Sequence, residues 1–187
     1  MLKDPDALRW IEAHRPIWEP RGNACHAALQ HHCLHRWSAP TSHWPAHLRV
    51  GEPFVAQGPF LPYRTWLQPL FSQPLWDHVQ VVGSELMLAS REANVAGTPD
   101  LVLRFHDGSH GVLDLKTLSA VGRRYNTQAQ LGGYGQLLID TYGLRLSRCL
   151  TAWAGPGHCR IVTYPADACL RRWQQVFARY TEEWRPF

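Results

Sequence analysis

Ala96-Gly97-Thr98-Pro99-Asp100-Leu101-Val102-Leu103-Arg104-Phe105-His106-Asp107-Gly108-Ser109-His110-Gly111-Val112-Leu113-Asp114-Leu115-Lys116-Thr117 is the stretch that decides the fold. Two apolar, β-prone runs flank His106-Asp107-Gly108, which suits a three-residue hairpin loop: a type I turn followed by glycine in the left-handed conformation. That loop sets Phe105 opposite Ser109, and counting back along both strands sets Asp100 opposite Asp114. Opposed residues share a face of the sheet, and strand alternation places Lys116 on that same face, beside Val102 and Val112. A two-residue Asp107-Gly108 turn would put the two aspartates on opposite faces; the glycine position favours the first register. Opposed carboxylates destabilise a strand pair unless something compensates them. A divalent cation does so, and hard carboxylate oxygens suit Mg²⁺ or Mn²⁺. The alternative for an isolated D-x-K triplet is a buried Asp–Lys–Asp ion pair. Pro99 cannot donate a ladder hydrogen bond, so it is expected to distort the strand and re-aim Asp100.

Outward from the hairpin, Val79–Ala89 and Val95–Phe105 read as strands, with Gly111–Thr117 closing the pair. A helix is expected over Tyr125–Tyr142, stopped by Gly143. Two strands follow near Arg148–Ala154 and Cys159–Thr163. A last helix after Pro165 carries Leu170, Trp173, Val176, Phe177, Tyr180 and Trp184 on one face. Toward the N-terminus one helix is expected to about His14, broken by Pro16 and Pro20, and a second over Asn23–Trp37. Residues 38–78 hold seven of the fourteen prolines and read as an extended crossing with short helical turns around 64–78. The fold class expected is α/β: a central mixed sheet of about five strands flanked by helices. Residues 1–187 form one domain, with 1–78 a helical and Pro/Trp-rich part and 79–187 the α/β core.

Length and composition narrow the function classes. The chain has 187 residues with 45% hydrophobic and 18% charged residues, which fits a globular domain rather than a disordered one. No apolar run approaches a membrane span, and the N-terminus does not read as a signal peptide. Five widely spaced cysteines argue for a reducing, cytoplasmic setting rather than a disulfide framework. The net charge of +4 is unevenly spread: residues 79–117 carry 3 basic and 5 acidic groups, and residues 118–187 carry 9 and 4. An acidic centre followed by a basic third suits a metal site beside a phosphate-attracting surface. Only Lys3 and Lys116 are lysines among 19 basic residues, which singles out Lys116.

Ala96-Gly97-Thr98-Pro99-Asp100 followed by Val112-Leu113-Asp114-Leu115-Lys116-Thr117 resembles the PD-(D/E)XK nuclease superfamily. Gln130 and Tyr134 supply the Q-x-x-x-Y element of its RecB-type exonuclease branch. Arg21-Gly22-Asn23-Ala24-Cys25-His26 is similar to that branch's glycine-to-histidine helix, and Ser84-Glu85 matches its serine–glutamate pair. The nearest flavour is that of phage-type and mitochondrial genome-maintenance exonucleases. The resemblance implies a restriction-endonuclease-like core and a metal-dependent nuclease acting on DNA ends, with a recombination or replication protein as a further partner. It implies that His26, Asp100, Asp114 and the Leu115 carbonyl hold one or two Mg²⁺ or Mn²⁺ ions. Lys116 would orient and help deprotonate the attacking water, and Gln130 and Tyr134 would support the site and touch the DNA backbone. Glu85 would be a further metal ligand, a supporting residue, or a strand residue facing Arg124. Thr117, Arg123 and Arg124 would contact DNA. Cys149, Cys159 and Cys169 lie ten apart, unlike the cysteines that hold an iron–sulfur cluster in some relatives, so no cluster is expected. His31, His32 and His35 point away from His26 on one helix and read as a solvated face rather than a zinc site. The competing function is a catalytically silent nucleic-acid-binding module on the same fold.

Overall fold

The computed structural model describes residues 5–37 and 56–183. Its centre is a five-stranded mixed sheet. In chain order its strands are β1 (Val79–Ser84), β4 (Leu101–Phe105), β5 (His110–Thr117), β6 (Leu146–Gly155) and β7 (His158–Pro165), and they lie side by side in that order. β5 and β6 run parallel and the other neighbours antiparallel. The parallel pair needs a crossover, which is supplied by helix α3 (Gln128–Tyr142). Two short strands, β2 (Leu88–Ser90) and β3 (Val95–Gly97), form a separate hairpin.

Strand alternation divides the core into two layers. Leu101, Leu103, Leu113, Leu115, Leu150 and Ala152 face helix α1 (Pro5–Trp37) and helix α2 (Arg64–Phe71). Val102, Val112 and Cys149 face α3 and helix α4 (Ala166–Glu183). On α1 the inward positions are Cys25, Ala28 and Leu29, spaced as one helical stripe. The α3–α4 crossing is close. A Cβ on Gly132 would lie 2.0 Å from the Cys169 carbonyl oxygen, and the Trp173 side chain packs over Gly133.

The hairpin register is the one expected. Leu101 pairs with Leu113 and Arg104 with His110, Gly108 has φ +76°, and the Phe105 N–H reaches the Ser109 oxygen at 2.9 Å. The short turns before the sheet also appear, as 3-10 turns at Gly58–Tyr63 and Pro74–Asp77 on either side of α2.

Four boundaries differ from expectation. Pro16 and Pro20 do not break the N-terminal helix, which runs unbroken over 33 residues. Proline removes the N–H partners of the Glu12 and Pro16 carbonyls, but residues 8–20 are exposed apart from half-buried His14 and Glu19, so solvent can serve in their place. An Arg15–Glu19 ion pair at 2.9 Å braces the same turns. The strand expected over Val79–Ala89 stops at Ser84, because Glu85 takes a positive φ of 49°. The strand expected over Val95–Phe105 splits at Thr98-Pro99-Asp100 into β3 and β4, as the missing N–H of Pro99 requires. Helix α3 starts at Gln128 rather than Tyr125, since Asn126 Oδ1 accepts the Gln128 N–H at 2.9 Å and the Thr127 and Thr151 hydroxyls pair at 2.6 Å. On α4, Val176 and Tyr180 are exposed rather than core. Of the expected histidine face, His31 is exposed but His32 is half-buried against the Phe71 ring, 4.4 Å away. The side chains of Cys33, His35 and Trp37, and residues 38–55 and Trp184, lie outside the described residues.

Replacing Gly132 with alanine tests the crossing, because its methyl meets backbone rather than a movable side chain. Overpacking of this kind costs about 1–3 kcal/mol, so a thermal melt of Gly132→Ala should fall by about 2–4 °C per kcal/mol lost.

Candidate active site

Asp100 stands at the break between β3 and β4, 6% exposed, with its side chain held from two directions. Its Oδ2 accepts the Leu115 N–H at 2.5 Å, and its Oδ1 lies 3.0 Å from His26 Nδ1. The backbone carbonyl of Asp100 accepts the Glu85 N–H at 2.9 Å. A bulge between Val81 and Gly83 shifts the register of β1 against β4 by one residue. That shift brings Glu85 opposite Asp100, where its strained backbone is held by the hydrogen bond. Backbone strain of this kind in a non-glycine residue is concentrated at functional sites. Glu85 Oε1 is 4.0 Å from His26 Nδ1. Ligand atoms of His26, Glu85 and Asp100 all lie within 4.8 Å of one another. No ion pair joins Glu85 to Arg124 among the described residues, so Glu85 belongs with His26 rather than with the arginine.

Asp114 occupies the neighbouring strand and is 2% exposed. Lys116 Nζ lies 2.8 Å from Asp114 Oδ2, yet that oxygen accepts no well-aligned hydrogen bond. Gln130 Nε2 donates to Asp114 Oδ1 at 3.2 Å and to the Tyr134 hydroxyl at 2.8 Å. Gln130 and Tyr134 sit one turn apart on α3, so they present to one side. Tyr134 reaches its place because residue 97 is glycine: a Cβ there would lie 2.7 Å from the tyrosine ring. The hairpin register and α3 thus bring Asp100, Asp114, Lys116, Gln130 and Tyr134 together, and α1 adds His26. Leu115 contributes its N–H to Asp100, while its side chain packs in the core.

Electrostatics explains the strain in this arrangement. Burial, and then the charge of Asp100, push the Asp114 carboxyl up to about 6. Burial and Asp100 likewise raise Glu85. Burial works to lower Lys116 and His26, but the facing carboxylates outweigh it and both stand above their ordinary values. Three carboxylates face one ammonium and one imidazole. A divalent cation fits this set because the ligand atoms of His26, Glu85 and Asp100 converge within 4.8 Å.

A cleft of about 420 Å³ opens beside the site, lined by His26, Lys116, Thr117, Arg21, Trp18 and Tyr125 among others. Arg21 was not singled out from the sequence. Its Nε points to Thr117 Oγ1 at 3.4 Å and its guanidinium lies 5.6 Å over the Trp66 ring. Spacing alone gave no sign of it, because it comes from a helix 96 residues before its partner. Thr117 lies in the cleft wall, whereas Arg123 and Arg124 stand on the exposed segment between β5 and α3. Among the described residues, Cys149 and Cys169 share the α3–α4 core and Cys159 packs against the opposite one. No helix among the described residues is long and apolar enough to cross a membrane. No protein-family model and no curated protein matches this chain.

The raised Asp114 carboxyl makes a signed prediction for the metal-free protein. A carboxyl that titrates higher when folded stabilises the fold below its unfolded value of about 3.8, and that contribution is lost as pH rises through about 6. Asp114→Asn cannot ionise, so in EDTA its melting temperature should exceed wild type at pH 7 to 8. The difference should shrink as pH falls from about 6 toward 4. Equal melts at pH 8 and pH 4 would show that Asp114 carries no burial penalty.

Proposed function

We propose that this chain is a divalent-metal-dependent DNA nuclease of the PD-(D/E)XK type that hydrolyses phosphodiester bonds at DNA ends. The observation that carries the proposal is the meeting of Asp100, Asp114 and Lys116 at one end of the β4–β5 pair, with His26 and Glu85 closing the other side. Phosphodiester hydrolysis needs an activated water and relief of charge on the phosphate oxygens. Mg²⁺ or Mn²⁺ supplies both when bound. Asp100 and Asp114 would hold it with His26, and Glu85 is close enough to join them. A nitrogen ligand favours Mn²⁺ alongside Mg²⁺.

The chain's own groups divide the remaining work. Lys116 is held against Asp114 and lines the cleft, where its ammonium can fix the attacking water and steady charge on a phosphate oxygen. Gln130 holds Asp114 in place through Oδ1 and leaves Oδ2 facing the site. Tyr134, hydrogen-bonded to Gln130, fixes that amide and offers its hydroxyl toward the backbone of the substrate. Arg21 and Thr117 stand in the wall of the cleft, where a strand would enter.

Degradation of end-labelled linear DNA with Mg²⁺ or Mn²⁺, with and without EDTA, tests the proposal. Asp100→Asn and Asp114→Asn should each abolish cleavage and leave the fold intact by thermal melt. DNA binding without cleavage under either metal would instead favour the silent binding module. Lys116→Arg is the sharper test. Arginine keeps its proton and carries a planar fork that would pair bidentately with Asp114 or Asp100. The variant should fold and bind DNA, yet lose at least ~10²-fold in single-turnover rate, the low end for a positioned proton-transfer group. Cleavage within a few-fold of wild type would reduce Lys116 to a charge.

A further inference from the structure

A second groove, about 680 Å³ in volume, adjoins the cleft and shares Leu118, Tyr125 and Trp153 with it. It runs toward the outer strand β7 and is lined by Arg123, Arg124 and Arg160, with no carboxylate in its wall. Among the described residues none of these three guanidiniums has an ion-pair or hydrogen-bond partner. Three arginines around one groove with no carboxylate in its wall give it a positive lining that suits an anion. The aromatic component is equally specific. Tyr125 is 58% exposed, and its ring stands edge-on to Trp153, with centroids 5.0 Å apart and planes at 84°. Trp153 itself is buried, so it serves as the floor that holds the Tyr125 ring upright, with tyrosine as the exposed platform.

The sheet register connects this groove to the site. Lys116 is paired with Trp153 across β5–β6, and Trp153 with Arg160 across β6–β7. The three therefore lie on one rung of the sheet, on one face, with Arg160 two strand spacings, or about 10 Å, from Lys116. A chain of phosphates whose reacting member lies at Lys116 can place a neighbour at Arg160 and others along Arg123 and Arg124. Its bases can then stack on Tyr125. Away from a duplex end a stacking platform needs an unpaired base, because inside a duplex the base faces are already covered. We propose that this groove binds the single-stranded DNA flanking the reacting phosphate, with Arg124 and Arg160 on phosphates and Tyr125 stacked on a base. The assignment of the ligand as DNA rests on the nuclease proposal; the anion and stacking chemistry does not.

The test is fluorescence anisotropy of a labelled oligothymidylate in EDTA, where no cleavage occurs, using the full chain and a salt series. The Arg124→Ala/Arg160→Ala double variant should bind at least tenfold more weakly. Its slope of log affinity against log salt should be shallower by about 1.4, since each phosphate contact on a single strand contributes about 0.7. Tyr125→Ala should lose about tenfold, within the range for one stacked base, with the slope unchanged. Arg171→Ala, whose guanidinium pairs with Asp167 on exposed α4, is the control and should change neither quantity. All four positions are exposed, and thermal melts should match wild type.

No binding by wild type, or a double variant with unaltered slope, overturns the groove. Equal losses on a blunt duplex overturn the single-strand assignment. If wild type binds as stated but never cuts under Mg²⁺ or Mn²⁺, the groove stands and the nuclease proposal falls. If wild type cuts and the groove variants bind as it does, the groove falls and the nuclease proposal is untouched.

Discussion

The buried residue Asp100 ties three segments of this molecule to one point. Its two oxygens engage His26 on α1 and the Leu115 N–H on β5, and its carbonyl fixes the strained Glu85 at the end of β1. A charge this buried is costly unless it is hydrogen-bonded on each side. The requirement is met by three segments that must all arrive at one point. Pro99 makes the arrangement possible by ending β3 before Asp100, so that the carboxylate turns from the regular ladder toward the helix. Every other feature of the site is placed relative to it: Asp114 by the hairpin register, Gln130 and Tyr134 by the crossover that the parallel β5–β6 pair demands, and Lys116 by two residues of strand.

The legible parts of the sequence were those set by short-range geometry. The His106-Asp107-Gly108 loop suits a type I turn closed by a left-handed glycine, and the register that loop sets carries both aspartates and the lysine. The end of the helix expected over Tyr125–Tyr142 was readable from Gly143, whose left-handed conformation (φ +64°) closes it, while its start falls three residues later, at Gln128. The failures have physical causes of another kind. Proline ordinarily breaks a helix, but on the exposed half of α1 the carbonyls it orphans are open to solvent. The first strand stops at Ser84 because of the positive φ at Glu85, whose N–H bonds to a partner 15 residues away. Arg21 and Arg160 were invisible for the same reason. One is delivered by a remote helix and the other by the third strand of a rung, and neither placement is written in local spacing.

The separation of charge across that rung follows from what a carboxylate centre does to a polyanion. Without a cation, Glu85, Asp100 and Asp114 would repel the phosphates of the proposed ligand, so that ligand would be held from outside their reach. At about 10 Å and an effective dielectric of 20, two unit charges interact by only about 1.7 kcal/mol. Salt at physiological strength screens exposed charges over about 8 Å. Lys116, which touches Asp114, is the cation that bears directly on the centre, and the charge of Arg160 would act chiefly on the phosphate proposed to touch it. The sheet gives this division its dimensions: two strand spacings keep the guanidinium from collapsing onto the carboxylates and quenching them, while leaving both within the span of one short stretch of polynucleotide. Trp153, filling the rung between them, has the matching physical role, since an apolar ring there prevents a third charge from bridging the acidic and basic ends.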